Sequence, residues 1–151
     1  MIYETHNPEE IKRFITPDLF DAISEDGIEY ESFEPNLRLG YLLQKTDDFE
    51  GMWIMERRNG ITYCIHPAIP KEHRGKKAYK AAKEFYKYIL DNIDFEKLIA
   101  ETPVTHRHIK LFALRNGLKV EGTLRKSFKK YGEIHDQWIL GITRKEIEAI
   151  L

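Results

Sequence analysis

One long amphipathic helix pattern set between two short apolar runs constrains this chain more than any other feature. The runs are Gly60 to His66 and Leu98-Ile99-Ala100. Between them apolar residues fall at Tyr79, Ala82, Phe85, Tyr86, Ile89 and Leu90, the i, i+3, i+4, i+7 spacing of a helix lying on a sheet. Lys76, Lys80, Lys83 and Lys87 occupy the other side as a solvated face. Such a helix carries the chain back across the sheet, so the second strand is expected to lie parallel to the first, and its almost wholly apolar text suits a buried strand. The helix opens on Glu72-His73-Arg74-Gly75-Lys76-Lys77-Ala78. Its first N–H groups lack intrahelical partners, the helix dipole adds partial positive charge, and Arg74, Lys76 and Lys77 add full charges. A phosphate-bearing anion is the ligand this turn predicts.

The remaining text fills in a sheet around that unit. Residues 1–5 read as a first strand, and Asn7-Pro8-Glu9-Glu10 supplies an N-cap, a first-turn proline and a capping-box carboxylate for a helix. Thr16-Pro17-Asp18 repeats the signal for a second helix carrying Leu19, Phe20 and Ile23, closed by Gly27. Strand-like runs at Leu37 to Lys45, Gly51 to Glu56 and Gly60 to His66 form an antiparallel meander, with Asn59-Gly60 as its hairpin turn. His106 to Asn116 reads as a helix stopped by Gly117. Leu118 to Leu124 and Gln137 to Ile142 are two closing strands around the Tyr131-Gly132 turn, and Thr143-Arg144-Lys145-Glu146 is a capping box for a terminal helix. This order predicts an α/β fold, a three-layer α/β/α sandwich on a mixed sheet of about six to seven strands with a parallel fourth and fifth pair. Residues 1–151 make a single domain.

Composition narrows the partners. With 24 Lys+Arg against 25 Asp+Glu the formal charge is −1, which argues against a broad nucleic-acid surface. The basic stretches Lys71 to Lys87 and Lys126 to Lys130, with Phe128 and Tyr131 as stacking rings, are too local to reverse that. The single cysteine, Cys64, allows no internal disulfide and suits a reducing cytoplasm. No apolar run approaches the length of a membrane span, and the N-terminal segment has neither the basic nor the apolar region of an export signal, so no membrane partner is expected. Cys64 and His66 share one face of a strand. His106 and His108 diverge on a helix and no His-x-x-x-His pair exists, so no metal is expected.

Three segments, spanning roughly residues 60–142, resemble the GNAT superfamily of acyl-CoA-dependent N-acyltransferases. Pro70-Lys71-Glu72-His73-Arg74-Gly75-Lys76-Lys77-Ala78 resembles the turn that cradles the pyrophosphate of acetyl-CoA in that family. Thr105 to Leu118 is similar to the family helix that begins with Asn and ends in Gly-Phe. Gly117 to Arg125 followed by Gly132-Glu133-Ile134-His135-Asp136 is similar to the C-terminal block of the ribosomal-protein N-terminal acetyltransferase branch. The chain departs from the pattern at three places. Lys77 and Tyr79 stand where the loop has small residues, His106 replaces the Asn, and Ala113 replaces the Tyr that protonates the leaving thiolate. The turn is also similar to divergent GNAT-like proteins of tailed bacteriophages, some of them head-assembly factors.

The resemblance implies acetyl-CoA as co-substrate, bound by Cys64 and Ile65 on the fourth strand, by Arg74, Gly75, Lys76, Lys77 and Ala78 at the turn, and by His106. It implies direct transfer to an amine on a protein or a small molecule, with a base to deprotonate the amine and a backbone N–H near Cys64 to His66 to polarise the carbonyl. Glu101, at the C-terminal end of the fifth strand, is the first choice of base, followed by Glu56 and His66. A homodimer and a virion-assembly partner both stay open, as does a GNAT-fold factor that has lost catalysis.

Overall fold

The computed structural model describes residues 1–151. In chain order the elements are β1 (Ile2–Thr5), α1 (Pro8–Phe14), α2 (Pro17–Ile23), β2 (Gly40–Lys45), β3 (Glu50–Arg57), β4 (Thr62–Ala68), α3 (Lys76–Asn92), β5 (Lys97–Pro103), α4 (Arg107–Arg115), β6 (Lys119–Lys130), β7 (Glu133–Thr143) and α5 (Arg144–Ile150). The seven strands form one sheet in the order β1-β2-β3-β4-β5-β7-β6. Every neighbouring pair is antiparallel except β4 and β5. This is the mixed α/β/α architecture that the strand–helix–strand unit predicted.

The two faces of the sheet bury different helices. On one, Ala78, Ala81, Ala82, Phe85, Tyr86 and Ile89 of α3 pack on Leu42, Trp53, Ile65, Leu98 and Ala100, joined by Ile147 of α5 and Ala113 of α4. Trp53 and Phe85 stack at 4.4 Å between ring centroids and 14°, an arrangement worth about 0.5–1.5 kcal/mol beyond the area buried. The indole nitrogen donates to Oε1 of the fully buried Gln44 at 2.8 Å, and the Gln44 amide donates to Glu84 at 3.0 Å, so no polar group is stranded under the helix. On the other face Ile11 of α1, its C-cap residue Ile15, and Leu19 and Phe20 of α2 cover Tyr41, Leu43, Met52, Ile54 and Ala68. The expected caps form: Asn7 Oδ1 accepts from the Glu9 N–H at 3.0 Å, Thr16 caps α2, and Thr143 with Glu146 closes a capping box.

Several boundaries differ from the sequence reading, β7 among them, which begins at Glu133 rather than Gln137. Helix α2 stops at Ile23 rather than at Gly27, because the following residues leave the helix to meet the β6–β7 hairpin: the Asp26 N–H donates to Lys129 O at 2.9 Å. Strand β2 begins at Gly40 rather than Leu37. Strand β6 runs to Lys130 instead of ending at Leu124. It is an exposed edge strand with register shifts between Val120 and Gly122 and between Leu124 and Phe128, so its text shows no alternation to read. No helix is long and apolar enough to cross a membrane.

Candidate active site

The one parallel pair is incomplete. Strands β4 and β5 pair only at Thr62–Lys97, Tyr63–Leu98 and Cys64–Ile99, although both run on, to Ala68 and Pro103. Past Cys64 and Ile99 the strands diverge. Pro67 and Pro103 stand in the unpaired stretches, where neither has an N–H to give to a ladder. Two adjoining cavities, about 400 and 350 Å³, follow the gap. Pro67, His106, Ile109 and Phe112 line both.

At the outer end the cavity meets the head of α3, where Arg74, Gly75, Ala78, Tyr79, His108 and Arg115 line it. Gly75 is the N-cap residue, at φ 80° and ψ −140°, a conformation that side-chain-bearing residues rarely adopt. A Cβ placed there would meet no atom within 4 Å, so the space in front of the turn is open and the glycine is required by backbone geometry alone. The N–H groups of Gly75, Lys76, Lys77 and Ala78 have no acceptor within the protein. Arg74 is held by its Nε–H donating to Ile69 O at 3.2 Å, and the Arg115 guanidinium donates to the Tyr79 hydroxyl at 3.1 Å. Ala78 is buried against the sheet, Tyr79 leans on Phe112 with centroids 5.3 Å apart, and Lys76 and Lys77 are exposed. The small residue thus sits at the helix–sheet contact, and Tyr79 forms a wall of the groove rather than blocking the turn.

At the inner end four titratable side chains meet. Arg58 reaches Glu56 Oε2 and Glu101 Oε1, both at 3.3 Å, and His66 Nε2 lies 3.3 Å from the same Glu56 oxygen. Cross-strand register explains the meeting. Glu56 pairs with Cys64, Cys64 pairs with Ile99, and His66 and Glu101 are each two residues further on, so all project from one face. The residues expected as bases, Glu101, Glu56 and His66, therefore form one network. Arg58, read from sequence only as part of a hairpin connection, completes it. The Cys64 thiol is fully buried, and burial, with the nearby Glu101 charge, pushes its pKa up to about 11, so it is protonated and unsuited to attack at neutral pH. Donor atoms of Glu56, Cys64 and His66 lie within 4.8 Å of one another, a third potential ligand that sequence reading did not supply. The Arg58 guanidinium already neutralises that carboxylate.

His106 sits between the two ends. It is the N-cap residue of α4, at φ −101° and ψ 58°, and its Nδ1 is buried without a hydrogen-bond partner. Burial lowers its pKa, reinforced by the charges of His108, Lys130 and His135, which keeps the ring neutral. Its ring meets Phe128 edge-on at 6.1 Å. Ile65 lines the inner cavity with Ala113, which brings no hydroxyl, while the Tyr86 hydroxyl donates to Asn116 O at 2.9 Å. Lys126, at φ 51°, lies in the Leu124–Phe128 bulge, and its N–H donates to Asp136 Oδ1 at 2.7 Å. Ser127 and Phe128 consequently line the inner cavity, a placement with no sequence signal.

A sheet that splays at its one parallel pair, with a helix head at one end of the gap and a carboxylate–histidine cluster at the other, stands on a GNAT-like α/β fold. More narrowly, the chain belongs to the family described as protein of unknown function DUF2824, whose model matches residues 2–151. No curated protein matches it by sequence. Among solved structures it is similar to a spermidine N-acetyltransferase chimera from Vibrio cholerae and hSSAT, with TM-score 0.78, 15% identity and 99% of each chain covered. It is also similar to the Vibrio cholerae spermidine N-acetyltransferase in complex with CoA and spermine, with TM-score 0.75, 14% identity, and 97% of this chain and 98% of that one covered. A Streptococcus mutans protein, smu.2055, matches at TM-score 0.68 and 16% identity, over 95% and 99% of the two chains. At such identities the likeness is one of fold.

Proposed function

We propose that this protein is an N-acyltransferase that moves an acetyl group from acetyl-CoA to an amine. The observation that carries the reading is the gap between β4 and β5, which joins an unpaired helix head to a titratable cluster. The free N–H groups of Gly75 to Ala78, with Arg74, Lys76, Lys77 and Arg115, hold the phosphates of the cofactor. Cys64 and Ile65 offer strand backbone along its acyl arm, and His106 offers the unpartnered ring nitrogen. Acetyl-CoA supplies an activated thioester. Glu101 accepts the proton of the incoming ammonium, with Glu56 and His66 as the relay behind it and Arg58 fixing both carboxylates. Because Ala113 has no hydroxyl, the departing thiolate takes its proton from water.

The acceptor is an amine on a protein N-terminus, a lysine or a small molecule, and an unpaired cysteine suits work in a reducing cytoplasm. A second reading is a GNAT-fold binding or assembly factor without catalysis, such as a bacteriophage head-assembly protein or a homodimeric scaffold. It is favoured by Ala113 in place of the Tyr. Thermal melting with and without acetyl-CoA separates the two. At 100 times its dissociation constant a ligand stabilises the fold by about 2.7 kcal/mol. A raised Tm followed by thiol release on adding an amine supports the enzyme, and no shift at millimolar acetyl-CoA refutes it.

A further inference from the structure

The inner cavity narrows the choice of acceptor. Ile23 and Ile28 from the segment around α2, Ile109 from α4 and Phe128 from β6 line it. Its carboxylates are only Glu25 and Glu101, and Glu101 is already paired with Arg58 at 3.3 Å. The two aspartates nearest in sequence to this wall, Asp21 and Asp26, are committed elsewhere. Asp26 accepts from the N–H groups of Tyr131 at 2.9 Å and Gly132 at 2.8 Å. Asp21 accepts from the Tyr131 hydroxyl at 2.8 Å and lies 3.3 Å from Lys130 Nζ, which also donates to the carbonyls of Asp21 and Ser24. Lys130 is 9% exposed, so this clasp is partly buried. It ties the segment that carries Ile23, Ser24, Glu25 and Ile28 to the hairpin that carries Ser127 and Phe128, the two walls of the cavity.

A polyamine with several positive charges would need a succession of unpaired carboxylates to replace its water, and an apolar wall does the opposite. We infer that the acceptor carries a single amine on a compact apolar body, and that the clasp between Asp21, Asp26, Lys130 and Tyr131 fixes the wall that selects it. This rests on the acetyltransferase reading. In the step, the ammonium first gives a proton to the Glu101 cluster. The amine lone pair then forms the N–C bond to the acetyl carbon as the C–S bond breaks with its electron pair on sulfur. The nitrogen loses its second proton and the thiolate gains one, leaving an N-acetyl amine, free CoA thiol and one proton in solvent. Asp21 and Asp26 touch none of the reacting atoms and act as positioning residues.

The test measures thiol release with 2-phenylethylamine, leucinamide, spermidine and spermine as acceptors, after calorimetry has measured acetyl-CoA binding. The expected result is a kcat/KM for the better apolar amine at least about tenfold above either polyamine, the size of discrimination an apolar pocket provides. Equal or greater use of spermidine or spermine, or turnover of none of the four by acetyl-CoA-loaded protein, overturns the inference and leaves cofactor binding intact. Absence of acetyl-CoA binding overturns both. Asp26→Asn is expected to raise KM for the apolar amine by about fivefold while kcat and acetyl-CoA affinity stay within about twofold. An unchanged KM removes the clasp from the account. If Asp26→Asn does not fold, Tyr131→Phe, which removes only the hydroxyl to Asp21, is expected to raise KM by about twofold on the same reasoning.

Discussion

At the head of α3, four consecutive N–H groups have no acceptor in the protein, Arg74, Lys76 and Lys77 stand beside them, and a Cβ on the glycine they start from would meet nothing within 4 Å. Beyond the cluster, at the β6–β7 hairpin, the same kinds of group face one another: Asp26 caps two backbone amides and Lys130 is satisfied by two carbonyls and a carboxylate. The helix head at the cleft's mouth and the clasp behind its inner wall thus use polar groups for opposite purposes. Unpaired donors make a general receptor for phosphate, whose shape matters little. Paired ones make a fixed wall, which discriminates by size and polarity.

Breaking the open end should have the largest effect. Arg74→Glu places an anion where phosphate is expected, and acetyl-CoA affinity is predicted to fall by about a hundredfold or more, roughly two charge-assisted contacts. A loss under threefold, measured by calorimetry, would move the phosphates elsewhere. Next comes the cluster between the ends. Glu101→Gln is predicted to lower kcat by about 10²–10⁴ with acetyl-CoA affinity unchanged. Full activity would reassign the base to Glu56 or His66.

The closed end answers to pH. Hydrogen bonds from Tyr131 and Lys130 hold the Asp21 carboxyl below its usual range, and those from the Gly132 and Tyr131 N–H groups do the same for Asp26. A lowered folded value means that the stabilisation is complete above the ordinary carboxylate pKa near 4 and is lost as pH falls through the lowered values. The Tm gap between the parent chain and Asp26→Asn is therefore expected to be constant from about pH 7 to 5 and to shrink below pH 4. A gap that persists at pH 2.5 would mean that Asp26 acts through packing rather than charge. The smallest effect is predicted for Lys77→Gly. Its side chain is exposed, so acetyl-CoA affinity should change by less than about threefold and lose some of its dependence on salt.

The open end was legible because it is local: a basic Gly turn, a helix period and an apolar strand all lie within one stretch of text. Glu56, His66 and Glu101 were each legible as candidate bases on or at the end of neighbouring strands, without the face that Glu56 and Glu101 take. Their meeting, with Arg58 on both carboxylates and His66 on Glu56, depended on a register that begins at the Asn59-Gly60 hairpin and passes through the parallel pair. The closed end was not legible. The Asp26–Gly132 bond joins residues 106 apart, and with the Asp26 N–H to Lys129 O bond it ties the segment after α2 to the hairpin. Strand β6 hides for a different reason: it is an exposed edge with little buried apolar face to set a period, and its bulge at Lys126 reverses any alternation there.

We propose that one cleft between β4 and β5 runs from the helix head to the Glu101 cluster and holds acetyl-CoA. A crystal structure of the protein with acetyl-CoA tests it most directly. The predicted result has the pyrophosphate on the N–H groups of Gly75 to Ala78 and the acetyl group in the gap past Cys64 and Ile99, on the side of Glu101. A cofactor bound outside that gap, or phosphates away from the head of α3, would contradict it.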